Sequence, residues 1–443
     1  MQLIDRDLSD IIDNEALEYA LYTVEERALP NIVDGFKPVQ RFIIYGALQK
    51  SKKDKTKFHK LAGFAGGMAE LGYHHGENSG AEAGKLMAND WNNNVPFLDG
   101  QGSFGSRLVQ KAGAARYVYC RISENFLKLY KDFELAPKHR DIERVPPAFY
   151  LPIIPTVLLN GVKGIATGYS TSILPHSLKS VIECTKLALE GKLDKEPEVE
   201  FPQFKGKIIP TETGVELQGL YELKGKTKLF INEIPYKWDR ESYLAKIMDP
   251  LEDKGYIEYI DDSDKDGFKF QVTLRKDFGL ITDDLEKQHE QIIKEFGLSQ
   301  KVPQYFTVIG PNRELIDDIY SASDLIKRFV EIRKPYYSKR IENNISVCAE
   351  KYKLASAKAD FIEEVLKGNL VINSRKKADV LKDIEKYPFG EYAEKLLSMN
   401  LYHITAEEAK KLKDQAKEAK KELSYWQKTT PEIEYKNDLD SIA

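Results

Sequence analysis

Residues 34–57 read DGFKPVQRFIIYGALQKSKKDKTK, and the fold of the N-terminal third turns on them. DGFKP makes a turn, and Pro38 suits the first position of a helix, where its missing N–H would be unpaired anyway. The helix predicted from there covers 38–49. Upstream, Asn14 to Ala28 carries apolar residues at Leu17, Ala20, Leu21 and Val24, the spacing of an amphipathic helix. Downstream of the lysine-rich loop a third helical stretch is predicted near 57–72. With basic residues at its start, such a helix faces a duplex groove if the pair is a helix-turn-helix. The competing reading is an ordinary helix pair that binds nothing.

Charge sharpens this choice. The net charge of -4 does not announce a polyanion partner, but its distribution is uneven. Between Lys37 and Lys60 there are eight Lys/Arg against one acid, Asp54, and from Gln101 to Ser123 there are four and no acid. Localised basic surface is the electrostatic footprint of nucleic-acid binding. For KSKKDKTK alone, a solvated lysine face is an equal alternative.

The 443 residues allow two or three domains, and 42% hydrophobic content fits a folded globular chain. The N-terminus has no basic-then-apolar signal pattern, and no apolar run is long enough to span a bilayer. Cys120, Cys184 and Cys348 are odd in number and far apart, which suggests a reducing, cytoplasmic setting.

The glycines of NNNVPFLDGQGSFGS (92–106) would let backbone N–H groups approach phosphates, although no Walker lysine follows. PTVLLNGVKGIATGYS (155–170) reads as strand–turn–strand around Ile165. An isoleucine there is either core or an apolar wedge of the kind that bends DNA. From about 200 to 312, VELQGLYEL, KLFINEIP and FKFQVTLRK read as strands bracketing a helix at 240–255. DDSDKD (261–266) reads as a solvated turn, because the glycine and terminal glutamate of a calcium loop are misplaced.

The last third is helical. Ile341, Ile345, Cys348, Tyr352, Ala355, Ala359, Ile362 and Leu366 form one heptad seam, and Ala409, Leu412, Ala416, Ala419, Leu423 and Trp426 form another. Thr405 and Glu408 make a capping-box pair at the start of the second. Two seams joined by a 40-residue insert read as an antiparallel coiled coil with a small domain at its tip. The first arm, 336–367, would span about 48 Å.

QKAGAARYVYCR (110–121) reads either as an ordinary amphipathic segment or as one whose phenol meets a phosphate. Tyr117 and Tyr119 lie between Arg116 and Arg121, with no acid near. A phenol is a weak nucleophile at its ordinary pKa of about 10, and neighbouring guanidiniums favour its anion. They also stabilise charge building on a phosphoryl group under attack. Other chemistries fit worse. There is no metal-ligand spacing, no Gly-x-Ser-x-Gly, no dinucleotide fingerprint and no ATP-binding motif.

Six ordered blocks resemble the DNA-breaking half of type IIA topoisomerases, the gyrase A/ParC family. RALPNIVDGFKPVQR (27–41) is similar to that family's RALPDxRDGLKPVxRR, and YHHGENS (73–79) to its YHPHGDS. LDGQGSFGS (98–106) with AARY (114–117), NGVKGIATGYST (160–171), INEIPY (231–236) and DDSDKDG (261–267) follow in family order. The resemblance covers nearly the whole chain. It implies an α+β multidomain fold: a winged-helix (helix-turn-helix) DNA-gate domain over 1–180 and an α+β tower domain over 181–320. A long antiparallel coiled coil over 321–443 would follow, with a small helical dimerisation domain at its tip (about 368–405).

It implies, further, an ATP-dependent type II DNA topoisomerase subunit in which Tyr117 forms a transient 5′-phosphotyrosyl link to gate DNA. Arg116 would stabilise developing charge, and Arg27, Lys37 and Arg41 would hold the DNA backbone. The segment 57–75 would supply the recognition helix. His75 matches a histidine near the scissile phosphate that could help deprotonate Tyr117, and Ile165 matches the intercalating isoleucine. Tyr119, where relatives usually carry glutamate, would pack or support the backbone.

The chain departs from the family pattern in three places. Gln40 replaces a frequent histidine. YHHG is one residue short of YHPHG, leaving His74 and His75 interchangeable in the match. Asn78 stands near the serine associated with quinolone contacts. The Mg²⁺-holding Toprim motif and the ATPase, hence Mg²⁺ and ATP, are expected on one or more partner polypeptides. Partners are double-stranded DNA, a second copy meeting at the coiled-coil tip and the DNA gate, and the ATPase/Toprim subunit. With no wrapping domain in the sequence, relaxation and decatenation are expected rather than supercoiling. The rival readings are a catalytically silent DNA-binding scaffold of the same fold and a purely structural coiled-coil protein.

Overall fold

The computed structural model describes residues 7–373, 375–399 and 404–442. They divide into two compact units: 1–333 with 438–443, and 334–437.

In the first unit the chain is helical from Leu8 to Ala28, with wider π-type turns at Ile11–Ala16 and Val24–Ala28. Leu17 and Leu21, which the periodicity placed on an apolar face, are exposed in the protomer. The next helix, Pro38–Ser51, starts at the proline as expected. Gln40 closes its N-terminus by accepting the Lys37 N–H at 2.8 Å. Its inner face buries Phe42, Ile43, Ile44 and Ala47.

The helix expected near 57–72 is not continuous. His59–Lys60 is a short strand, Leu61–Gly66 is helical, and Ala69–Leu71 is a 3-10 turn. Gly63, Gly66 and Gly67 account for the break, since each weakens a helix by about 1 kcal/mol relative to alanine. The regular helix of this region is Glu77–Ala88, which apolar periodicity did not announce. Its buried positions are mainly Gly80, Ala81, Ala83, Gly84 and Ala88. A Cβ at Gly80 would stand 2.3 Å from the Met68 sulfur, and one at Gly84 would stand 2.4 Å from Leu61 Cδ1. Small residues here buy closeness of packing rather than apolar area.

Three strands complete this region, with Tyr119–Ile122 antiparallel between His59–Lys60 and Leu98–Gln101. Behind them Phe36, Phe97, Phe126 and Tyr130 form an aromatic core, with Phe126 and Tyr130 stacked at 4.1 Å.

Residues 207–303 carry two antiparallel sheets. One orders the strands Leu220–Lys224, Lys228–Glu233, Phe270–Leu274 and Ile257–Asp261, and the other orders Ser299–Pro303, Gly214–Gln218 and Lys207–Thr211. Phe270, Val272 and Leu274 are buried while Gln271 and Thr273 face out, the period-2 signature of a half-covered sheet. The covering helices are Arg240–Asp253, as expected, and Leu285–Glu295. DDSDKD is the turn between two paired strands: Asp264 and Gly267 exchange backbone hydrogen bonds of 3.2 and 3.0 Å.

The long helix Ala322–Leu366 begins earlier than the seam suggested and contains Pro335. In the second unit its later part runs antiparallel to Ala406–Lys428. Lys413 pairs with Glu363, the Lys420 ammonium lies 5.8 Å from the Tyr352 ring, and Cys348 Sγ meets Glu422 at 3.8 Å. The second seam is buried or half-buried throughout, whereas Leu366 ends the first seam exposed. Just before it Ala359 and Ile362 of the seam are buried, joined by Ala357 and Phe361, and packed against Leu370, Val380, Ile384, Phe389 and Leu396 of the insert. Thr405 caps the second helix through the Glu408 N–H at 3.2 Å. Residues 374 and 400–403 of the expected tip lie outside the described residues.

Candidate active site and nucleic-acid interface

The tyrosine turn is assembled by backbone. Tyr117 N–H donates to Ala114 O at 2.8 Å, closing a turn. Leu61 N–H donates to Val118 O at 3.0 Å and Ala62 N–H to Ala115 O at 3.1 Å, so the first amides of the Leu61–Gly66 helix grip the turn from outside. Gly113 N–H donates to Ser103 O at 2.9 Å, and Val118 is fully buried beneath. With its neighbours fixed, the Tyr117 ring stands 68% exposed. The Arg116 guanidinium lies 4.9 Å from the ring centroid. Tyr119 differs: it is half-buried in a central strand, opposite Lys60 and Gln101.

The basic run of 101–123 is half consumed by structure. Arg107 is buried and bound to Glu233, while Arg121 pairs with Asp99 at 3.0 Å and reaches Thr56 O at 2.9 Å. Arg116 and Lys111 remain as its surface cations. Of the glycines expected to open the loop to phosphate, Gly100 and Gly102 are exposed and Gly105 is half-buried. Gly100 lies against the Phe104 ring and Gly105 against Val109 O and Trp91. A side chain at either position would crowd the loop that leads to Tyr117.

A second grouping forms where the hairpin Val162–Ile165/Ser170–Ile173 meets the end of the first helical segment. Ala166 N–H donates to Tyr169 O at 2.8 Å, so the expected strand–turn–strand is present, and Ile165 is 88% exposed at its tip. A Cβ on Gly164 would stand 2.2 Å from Ala28 O, so only glycine lets the hairpin lie this close. The contact brings Arg27, Lys37, Lys163 and Ile165 around one open cleft of ≈ 670 Å³ that no acidic side chain lines. Lys37 Nζ donates to Lys163 O at 2.7 Å, and burial lowers its pKa. Lys163 was not singled out in the sequence, though it sits next to Gly164 in a quoted block.

Arg41 is elsewhere. Its guanidinium is buried and forks onto Asp34, with Nε to Oδ2 at 2.7 Å and Nη2 to Oδ1 at 3.0 Å. Asp34 also accepts the N–H groups of Phe36 and Tyr150 at 3.0 Å each. This pair ties the DGFKP turn to the core, and the structure does not bring Arg41 to the cleft.

His75 and His74 part ways. His75 Nε2 meets the Tyr22 hydroxyl at 2.5 Å, and its ring stands edge-on to Tyr73 at 5.3 Å. Burial, then the charges of Arg27, Arg144 and His74, lower its pKa. His74 is exposed, 3.7 Å from Glu143. Within the protomer Tyr117 and Arg116 make no hydrogen bond or ion pair with Arg27, Lys37 or His75 among the described residues.

No grouping of three or more His, Cys, Asp or Glu side chains able to hold a metal ion occurs among the described residues. No helix among them is long and apolar enough to cross a membrane. All three cysteines are free and buried.

Residues 27–440 match the family model for the A subunits of DNA gyrase and topoisomerase IV. The DNA topoisomerase medium subunit of Enterobacteria phage T4 is 52% identical over 444 residues, covering 100% of both chains. DNA topoisomerase 2 of Plasmodium falciparum is 28% identical over 99% of this chain but only 34% of its own length. The crystal structure of the Plasmodium falciparum topoisomerase II DNA-binding, cleavage and re-ligation domain superposes with a TM-score of 0.85 at 27% identity. That match covers 98% of this chain and 63% of that one. The motifs, the exposed tyrosine on its backbone-held turn and these matches agree: the chain belongs to the DNA gyrase/topoisomerase IV A-subunit family, the DNA-breaking and rejoining subunits of type II topoisomerases.

Proposed function

We propose that Tyr117 is the nucleophile that opens the gate duplex. The observation that carries this is its exposed phenol on a turn fixed by main-chain bonds, beneath the Arg116 guanidinium. The phenolate oxygen attacks a backbone phosphorus, the P–O3′ bond breaks, and the 3′ oxygen leaves with a proton, giving a 5′-phosphotyrosyl link and a free 3′ hydroxyl. Arg116 stabilises the charge that builds on the phosphoryl oxygens. Reversal reseals the strand after a second duplex has passed.

Arg27, Lys37 and Lys163 hold the duplex backbone, and Ile165 wedges between bases to bend it. The helices Pro38–Ser51, Leu61–Gly66 and Glu77–Ala88 with their three-stranded sheet act as the winged-helix DNA gate, and the 207–303 sheets act as the tower. The paired helices of the second unit carry a tip through which two copies meet. Tyr117 and the Arg27–His75 group, separate in one protomer, work on one duplex when two copies face each other across it. Mg²⁺ and ATP are bound by a partner ATPase/Toprim chain or chains, in the host-cell cytoplasm if the protein is phage-encoded.

The test uses end-labelled duplex DNA, Mg²⁺, this chain and the partner subunit, stopped with denaturant. Protein linked to 5′ ends by wild type and Tyr119→Phe, but not by Tyr117→Phe, is the expected result. Loss only with Tyr119→Phe assigns the other tyrosine. No adduct from wild type, with the partner shown active, means a silent DNA-binding scaffold.

A further inference from the structure

We propose that Tyr22 is a positioning residue for His75: its hydroxyl donates to Nε2 and fixes the ring as the Nδ1–H tautomer. His75 then serves the gate DNA as a hydrogen-bond donor to phosphate, not as the base that deprotonates Tyr117. The inference rests on the DNA-gate reading above, and deepens it.

The contact is 2.5 Å long, between Tyr22 on the first helical segment and His75 just ahead of the Glu77–Ala88 helix. Geometry alone permits donation either way. Chemistry does not, because an imidazole lone pair is a far better acceptor than a phenol oxygen, and a phenol a better donor than an imidazole N–H. The tautomer follows from which nitrogen is already engaged. Tyr73 braces the other side of the ring, and its own hydroxyl lies 2.8 Å from Ser79 Oγ.

The charged and titratable groups around the pair are Glu26 and Arg27 from the first helical segment, His74 and Tyr73 beside His75, and Arg144 from the 139–145 loop. Burial raises the Tyr22 pKa, which keeps its proton in place, and lowers that of His75, which favours the neutral ring. A neutral ring whose Nε2 lone pair is taken has a proton at Nδ1 and no free lone pair. It can donate there but cannot accept the proton of Tyr117.

The test exploits the shapes of two carboxamides. The amide nitrogen of asparagine overlays Nδ1 of histidine, and that of glutamine overlays Nε2. In full-length protein with Mg²⁺ and the partner subunit, His75→Asn keeps the single-turnover rate of 5′ adduct formation within about threefold of wild type. His75→Gln and His75→Ala lose roughly tenfold or more, as expected for a hydrogen bond to a charged group. Tyr22→Phe slows the wild-type background but not His75→Asn, and the pH profiles of wild type and His75→Asn run parallel through the His75 titration.

Rescue by glutamine instead of asparagine, full activity of His75→Ala, or a wild-type rate that falls more steeply than that of His75→Asn as His75 protonates would overturn the assignment. ¹⁵N-histidine spectra of the chain alone give a separate readout. Wild type shows Nδ1–H at His75, and Tyr22→Phe shifts it toward Nε2–H; Nε2–H in wild type refutes the proposal. Because this arm needs no cleavage, it still decides the role of Tyr22 if wild type forms no adduct and the DNA-gate reading fails.

Discussion

Arg107, on the loop that leads to Tyr117, is bound to Glu233 at the end of a strand in the neighbouring sheet. Its Nη2 lies 3.1 Å from Glu233 Oε1 and 3.0 Å from Ile234 O, with both side chains almost wholly buried. Tyr236, from the same INEIPY block, lies 4.4 Å from the guanidinium and donates its hydroxyl to Trp91 O at 2.5 Å. Removing one partner of a buried pair leaves an unpaired charge. Arg107→Ala and Glu233→Ala should each cost about 3–5 kcal/mol, read from urea melts. The double substitution should cost less than the sum of the two; simple additivity would show that the residues do not act as a pair.

Two cations that the RALPNIVDGFKPVQR block placed side by side should separate cleanly in experiment. Lys37→Ala should leave the melting temperature near wild type, weaken duplex binding and lower the salt slope by about one, as for a lost phosphate contact. Arg41→Ala should unfold the protein at much lower denaturant, because Asp34 would be left buried without its fork. Equal salt slopes for Lys37→Ala and wild type would remove Lys37 from the interface.

Ile165 is too exposed to matter for folding, so Ile165→Ala should change stability by less than about 0.5 kcal/mol. If it wedges between bases, the same substitution should straighten bound DNA, measured as fluorescence transfer between duplex ends. Gly164→Ala should mimic that loss by pushing the hairpin off Ala28. Unchanged bending in Ile165→Ala would leave the residue without a role at the cleft.

His176 is a buried histidine with no part in the chemistry. Burial pushes its pKa down to about 4, with Leu158 O 3.2 Å from Nδ1. An unfolded histidine titrates near 6.5, so between about 4 and 6.5 the unfolded chain binds the extra proton. Stability is therefore full above about pH 6.5 and falls, by about 3 kcal/mol from this group, as pH drops toward 4. Urea melts at pH 7.5 and 5 should show the loss in wild type and a smaller one in His176→Gln. An equal loss in both would assign the slope to other groups.

Elements that bury large side chains at regular spacing were legible in the sequence. The Pro38–Ser51 helix, the strands around Leu229 and Val272, and the seam from Ala409 to Trp426 all appear where periodicity put them. The Glu77–Ala88 helix was not, because glycine and alanine on its buried face carry almost no hydrophobic signal. The helix expected over 57–72 is broken for the opposite reason: apolar residues at plausible spacing are interrupted by glycines, and only Leu61–Gly66 stays α-helical.

At the site, residue types were legible but their assignments were not. Arg27, Lys37 and Ile165 meet in one cleft, while Arg41 and Arg107 look the same on paper and are tied up inside. A charge pairs with whatever the fold brings beside it: Asp34 stands seven residues from Arg41, but Glu233 is 126 from Arg107, and neither spacing announces the pair. Tyr22 shows the same limit, since nothing in its own neighbourhood of sequence points to His75.

The turn that presents Tyr117 hangs from the amides of Leu61 and Ala62. Those groups belong to every residue but proline, so the grip is indifferent to which side chains stand at 61, 62, 115 and 118, provided they fit. A lineage can rewrite the side chains around Tyr117, and escape an inhibitor that reads them, without displacing the phenol. The substitutions that would undo this grip are few and nameable: a proline at 61 or 62.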